Sequence, residues 1–390
     1  MEKRSRLLDQ TIKMHFKRHR HQILMLLGPR QSGKTTLISR LFPRAQYFLV
    51  DNEPILKNLE TYDINIYKQI IHPRVQTLVI DEIHLLSNPG RCAKIIHDQL
   101  PRLQLIITGS SSLHIKNKTG ESLAGRKIDY HLYPLTFSEY LFQKSISKGF
   151  STALVERILK RKLKHHPSLF DLKVTLENFL LFGGYPYLID NPNDKAYLKN
   201  LVESAVFKDI LDLDLIENRR DGLNLLKLLA YQMGNLINYS EISLRLGIDA
   251  RTIRRYIDIF EQSFILFRLY PYSKNRRNEI VKTPKIYFYD TGLRNALIDD
   301  FSPLSLRPDL GALFENFIIS EVHKDNSYLN LDLHLNYWRN KQGAEIDLVF
   351  SKRDLLTGIE IKYTKGSITR AFTNRYKKAN VLFLNSDNFY

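Results

Sequence analysis

Gly28-Pro29-Arg30-Gln31-Ser32-Gly33-Lys34-Thr35 follows an apolar run at residues 21–27 and leads into a helix-like run at residues 36–41. The stretch has the full G-x-x-x-x-G-K-[ST] spacing, in the order strand, turn, helix. Glycines at both ends let the chain curl until successive N–H groups point at phosphate oxygens, and the start of the helix adds its partial positive charge. Residues Gly28, Pro29, Arg30, Gln31, Ser32, Gly33, Lys34, Thr35 and Thr36 are therefore the expected nucleotide cradle. Lys34 would reach the phosphates and Thr35 would ligate Mg²⁺.

Two further strands support this reading. The continuous, β-branched run at residues 77–80 ends in Asp81-Glu82. Ligands of open α/β sheets collect at the carboxyl ends of strands, where the phosphate loop also lies. Asp81 there would hold Mg²⁺ through water and Glu82 would polarise the attacking water. A third buried run, residues 103–107, ends in Thr108-Gly109-Ser110-Ser111-Ser112. A hydroxyl on a strand between the other two can sense the terminal phosphate, and Thr108 and Ser110 are the candidates. Serines of a helix N-cap would look the same. Arg126, in Leu123-Ala124-Gly125-Arg126, is a candidate arginine finger, acting in cis or on a neighbouring subunit; a surface ion pair accounts for it equally well.

The 390 residues are too many for one ordinary core. A formal net charge of +17 points to an anionic partner, and with no long uncharged apolar run DNA is expected ahead of a membrane. A single cysteine, Cys92, excludes an internal disulfide and a multi-cysteine metal cluster, which suits a reducing, cytoplasmic setting. Residues 1–22 interleave basic and apolar side chains at near-helical spacing, as in a helix with one solvated basic face, and lack the apolar core of a secretory signal.

The phosphate loop, Asp81-Glu82-Ile83-His84, Ile107-Thr108-Gly109-Ser110, Leu123-Ala124-Gly125-Arg126 and residues 135–140 together resemble the prokaryotic AAA-type ATPases that carry a long C-terminal domain of unknown function. The resemblance resumes at Phe182-Gly183-Gly184-Tyr185-Pro186 and across residues 291–362. It implies an α/β chain with an AAA-like P-loop ATPase domain, a winged-helix domain and a C-terminal restriction-endonuclease-like domain; ATP and Mg²⁺ are expected from the loop and acidic pair, and a homo-oligomer would be needed if Arg126 acts in trans. One departure is Lys208-Asp209, where those proteins carry Arg-Asp; lysine keeps the charge but loses a bidentate contact. The expected domains are residues 1–150 (ATPase), 151–225 (helical lid or linker), 226–285 (winged helix) and 286–390 (nuclease-like). Within the second, the basic run at residues 160–166 reads as a solvated helix face.

Residues 239–267 read independently as helix, turn, helix. Gly247-Ile248-Asp249 is the turn, and the second helix buries Ile253, Tyr256, Ile257 and Phe260 while presenting Arg251, Thr252, Arg254 and Arg255. The second helix of such a motif can enter a DNA major groove, with a basic, aromatic wing at residues 270–277 beside the backbone.

Near the C-terminus, Ala344-Glu345-Ile346-Asp347-Leu348 and Gly358-Ile359-Glu360-Ile361-Lys362 read as neighbouring strands. Period two places Glu345 with Asp347, and Glu360 with Lys362. With Glu315 from a preceding helix, Asp347 and Glu360 would hold Mg²⁺ while Lys362 positions a water, an order that resembles the D…(D/E)-x-K nucleases. The same fold would serve as a binding module with idle acids. Tyr337 and Trp338 read as core residues.

Overall fold

The uninterrupted apolar runs around the phosphate loop become the centre of a sheet. The computed structural model describes residues 4–110, 123–163, 170–203, 216, 218–273, 283–353 and 355–390. These fall into two compact units.

The first unit takes in Met1–Tyr133 together with Gln262–Phe264. Its strands are β1 (Ile23–Leu27), β2 (Gln46–Leu49), β3 (Thr77–Asp81), β4 (Gln104–Gly109) and β5 (Lys127–His131), in the order β2-β3-β4-β1-β5. All four pairings are parallel. Every residue of β1 and β3 is buried, as sequences without polar alternation require. Because β4 lies between β1 and β3, the phosphate loop, the acidic pair and Thr108 share one edge of the sheet. Helix α1 (Lys34–Leu41) leaves the loop and buries Leu37 and Ile38. Helix α2 (Pro89–Gln99) buries Cys92, Ala93 and Ile96, and burial pushes the Cys92 thiol up to about 12, so it is inert. The basic N-terminal stretch packs as two short helices, Asp9–Lys13 and His15–Arg18, with Leu8 and Ile12 buried and Lys13, Lys17 and Arg18 exposed.

The second unit comprises Pro134–Phe207, Ile216–Glu261 and Ile265–Tyr390. Its helices include α3 (Phe137–Gln143), α4 (Phe170–Phe182), α5 (Arg219–Tyr231), α6 (Tyr239–Leu246), α7 (Ala250–Gln262), α8 (Thr291–Ile298) and α9 (Leu310–Tyr328). Its strands β6 (Leu266–Pro271), β7 (Lys285–Phe288), β8 (His334–Arg339), β9 (Glu345–Lys352), β10 (Leu355–Ile361) and β11 (Asn380–Leu384) form one sheet, β11-β10-β9-β8-β6-β7. Thr136 and Glu139 close a capping box at the start of α3. Trp338 packs with Ile346, Val349, Phe372 and Tyr376, and Tyr337 is buried with its hydroxyl donating to Thr283 O at 2.7 Å; both are core residues.

Two expected boundaries differ from this arrangement. The N-terminal stretch of the first unit runs to Tyr133, short of the expected residue 150. Strands β6 and β7 pair antiparallel, and β6 continues parallel onto β8, so the segments drawn as 226–285 and 286–390 share a sheet. A boundary at 285/286 would cut β7, which the sequence cannot reveal because strand pairing is long-range.

Candidate functional site

The phosphate loop turns into α1 through Gly33, whose φ of 94° is one that side chains disfavour. Lys34 Nζ is buried and donates to Gly28 O at 2.9 Å and Pro29 O at 3.0 Å, so its charge rests on the loop that would carry phosphate. Thr35 Oγ1 donates to Asp81 Oδ2 at 2.7 Å. Asp81 Oδ1 accepts from Thr108 Oγ1, which in turn accepts the Glu82 N–H at 3.2 Å. Residues from three separate segments, Thr35, Asp81 and Thr108, are thus joined at the sheet edge where the sequence places them. A hydroxyl and a carboxylate in direct contact are oxygen donors of the kind a Mg²⁺ ion takes, and an ammonium against loop carbonyls can turn to an anion. The residues fit a magnesium-bound nucleoside triphosphate.

Glu82 is held differently. Its backbone is left-handed, with φ 56° and ψ 43°, uncommon for a non-glycine residue. Burial pushes its carboxyl up, but His84, Lys34 and Arg30 together outweigh that and bring it down to about 2. His84 Nδ1 approaches Glu82 Oε2 at 3.1 Å, and His84 Nε2 lies 3.4 Å from Ser110 Oγ. The sequence reading gave His84 no role, although it stands two residues after Glu82. Arg6 was also missed. Its buried guanidinium donates to Ser32 O at 2.9 Å and Tyr133 O at 2.7 Å, bracing the loop from the N-terminal segment; its spacing alone does not separate it from the exposed basic residues nearby.

Arg126 stands elsewhere. It precedes β5 at the amino edge of the sheet, where its carbonyl accepts the Ile23 N–H at 2.8 Å. Its guanidinium grips Asp98 at 3.0 and 3.2 Å. A finger acting in cis is therefore corrected to a half-exposed ion pair, because the phosphate loop leaves β1 at the opposite end.

In the second unit Glu315, Glu345, Asp347, Glu360 and Lys362 converge, with Lys285 and Tyr287 of β7 added. Glu315 accepts from Tyr287 Oη at 2.6 Å and lies 3.6 Å from Lys285 Nζ, which also pairs with Glu345. Asp347 accepts from Ile361 N at 2.8 Å and Lys362 Nζ at 3.0 Å, and Lys362 is 3.8 Å from Glu360. Burial, partly offset by Lys285, pushes the Glu315 carboxyl up; burial and the neighbouring Asp347 do the same for Glu360. Every carboxylate here already has an ammonium partner. Among the described residues no group of three or more His, Cys, Asp or Glu side chains is arranged to hold a metal ion.

On α7, Arg251, Arg254 and Arg255 are exposed. Arg254 stacks 3.9 Å above the Tyr239 ring. Thr252 Oγ1 instead donates to Asp249 Oδ2 at 2.6 Å, tying that hydroxyl to the helix start. Arg268 forms ion pairs with both Asp258 and Glu261 at the other end of the helix. Helices α5, α6 and α7 lead into the β6–β7 pair, and Leu236 bridges Lys285 antiparallel. Ser111, Ser112, Lys164, His165, His166, Lys208, Asp209 and wing residues 274–277 lie outside the described residues.

Residues 20–141 match the family described as AAA domain, so this part of the chain is an AAA-type, P-loop ATPase domain. Residues 173–304 match a domain of unknown function, DUF8612, and residues 310–388 another, DUF4143. The chain is similar to an uncharacterized protein of Methanocaldococcus jannaschii, 25% identical over 377 residues that cover 88% of this chain and 76% of the relative. An uncharacterized protein of Mycobacterium tuberculosis is 26% identical over 370 residues, covering 93% and 75%. Among solved structures, a Walker-type ATPase of Pyrococcus abyssi is similar with a TM-score of 0.47 and 12% identity, over 74% of this chain and 94% of that one. No helix among the described residues is long and apolar enough to cross a membrane.

Proposed function

We propose that this chain is a Mg²⁺-dependent ATPase that binds DNA through a winged-helix arrangement and couples hydrolysis to a nuclease-like C-terminal module. The observation that carries the ATPase reading is the Thr35–Asp81–Thr108 chain of contacts beside Lys34. Bound Mg·ATP supplies the reactive phosphoryl group and the divalent charge. Lys34 neutralises phosphate oxygens, Thr35 and Asp81 hold the ion, Thr108 fixes Asp81 and the Glu82 backbone, and Glu82 takes a proton from water. Arg126 would serve only the site of a neighbouring copy. Calorimetry with Mg·ATP and phosphate release test this: wild type binds and turns over, Lys34→Ala binds poorly, and absence of ATP uptake at millimolar concentration removes the reading.

For the second unit, support comes from three helices leading into an antiparallel strand pair, with Arg251, Arg254 and Arg255 exposed on the third helix. A specific observation favours a second reading, a nucleotide-controlled binding switch with an idle nuclease fold: Lys285 lies against Glu315 and Glu345, and Lys362 against Asp347 and Glu360, so each carboxylate already has an ammonium neighbour. Plasmid nicking with Mg²⁺ or Mn²⁺ that disappears in Asp347→Ala and Lys362→Ala selects the first reading. DNA binding without cleavage selects the second.

A further inference from the structure

The residue that holds Glu82 is the least expected part of the nucleotide site. Glu82 and His84 flank Ile83 at the end of β3, where the left-handed Glu82 backbone turns the chain sharply into a short 3-10 turn, Ile83–Leu85. That turn brings the two side chains back over each other. His84 is 3% exposed, and its Nδ1 lies 3.1 Å from Glu82 Oε2, an ion-pair contact too bent to count as a hydrogen bond; among the described residues neither atom has another polar partner. The far nitrogen, Nε2, is 3.4 Å from Ser110 Oγ at the end of β4. The imidazole thus lies between two side chains, with Nδ1 against the Glu82 carboxylate and Nε2 against the Ser110 hydroxyl. Thr108, two residues before Ser110, accepts the Glu82 N–H and donates to Asp81. The end of β4 thus fixes Glu82 twice, at its backbone through Thr108 and at its side chain through His84.

We infer that His84 is a positioning residue for ATP hydrolysis, aiming the Glu82 carboxylate at the attacking water and tying its orientation to Ser110, just past the end of β4. The inference rests on the ATPase reading above. A carboxylate that must accept a proton from one water gains little from proximity if it can swing; a buried imidazole on one oxygen leaves the other free and fixes its direction. His84 takes no proton from substrate and acts only through Glu82.

The test compares His84→Ala, His84→Asn and His84→Gln in the full chain, measuring ATP turnover and ATP affinity. Asparagine places its amide nitrogen where Nδ1 lies, whereas glutamine reaches the position of Nε2. The expected result is a fall in kcat of about 10- to 100-fold for His84→Ala with KM within about twofold. His84→Asn restores most of the loss and His84→Gln does not. Glu82→Gln and Glu82→Gln/His84→Ala share one residual rate, because a residue acting through Glu82 has nothing left to position. Wild-type kcat in His84→Ala, equal turnover in the Asn and Gln variants, or a further drop when His84→Ala is added to Glu82→Gln each overturns the inference. Should His84→Ala fail to fold, the Asn and Gln comparison decides alone. A wild-type chain without ATP turnover removes instead the reading on which the inference rests.

Discussion

At the scale of single residues, Lys34 and Glu82 do separable work. Lys34 donates to two loop carbonyls and can turn to phosphate, so Lys34→Ala removes ground-state attraction for phosphate and weakens Mg·ATP binding by about 10-fold or more. Glu82→Gln keeps shape and loses the proton acceptor; ATP affinity stays within about twofold while turnover falls by about 100-fold or more. Calorimetry and phosphate release separate the two, and equal loss of binding in both variants contradicts the assignment. Asp325 of α9 gives a different residue-scale prediction. Burial and the neighbouring Glu321 push its carboxyl up to about 8, while its Oδ2 accepts the Val155 N–H at 3.3 Å. The folded chain keeps this proton where the unfolded chain, titrating near about 4, has released it. The contribution of Asp325 to stability is therefore full below about pH 4 and is lost as pH rises towards 8. Asp325→Asn keeps an acceptor and needs no proton. It should raise Tm by several degrees at pH 7.5, with a gain that shrinks towards pH 5; a gain independent of pH contradicts the assignment.

At the scale of elements, the exposed basic face of α7 makes a prediction of its own. If Arg254 and Arg255 meet DNA phosphates, Arg254→Ala and Arg255→Ala each lower affinity and reduce the slope of log K against log salt by about 1. An unchanged slope removes them from the interface. Tyr239 under Arg254 also holds the guanidinium by stacking, so part of any affinity loss is lost preorganisation. This helix was legible in the sequence because its apolar positions keep a helical period; so were β1, β3 and β4, whose runs lack alternation, and the loop between β1 and α1. The Gly183-Gly184 turn shows the limit. The match at residues 182–186 flags it, yet its cause lies 106 residues on, where buried Asp290 accepts Gly184 N at 2.7 Å and Leu293 N at 2.9 Å. Lys285 escaped notice for a similar reason: only the pairing of β6 with both β7 and β8 brings it to Glu315 and Glu345. Local patterns expose elements, whereas contacts made by long-range pairing leave no periodic trace.

At the scale of the whole molecule, the question is whether the ATPase domain and the basic helix face belong to one machine. Net charge of +17 guarantees attraction to polyanions but not coupling, since nonspecific binding needs no nucleotide. Coupling is a free energy shared between two ligands and is reciprocal: if Mg·ATP changes DNA affinity by some factor, DNA changes Mg·ATP affinity by the same factor. The Glu82→Gln chain allows both affinities to be measured without hydrolysis. DNA dissociation constants with and without Mg·ATP, and Mg·ATP constants with and without DNA, should change by one common factor of about 5 or more at fixed salt. A factor of 1 in both directions would leave the two activities side by side on one chain with no energetic connection. Unequal factors would mean that a third equilibrium, such as self-association, is being measured as well. Repeating the titrations at a second salt concentration distinguishes direct electrostatics from a conformational link. A charge effect of nucleotide on DNA fades with screening, whereas a change of state at the α7 surface keeps its factor.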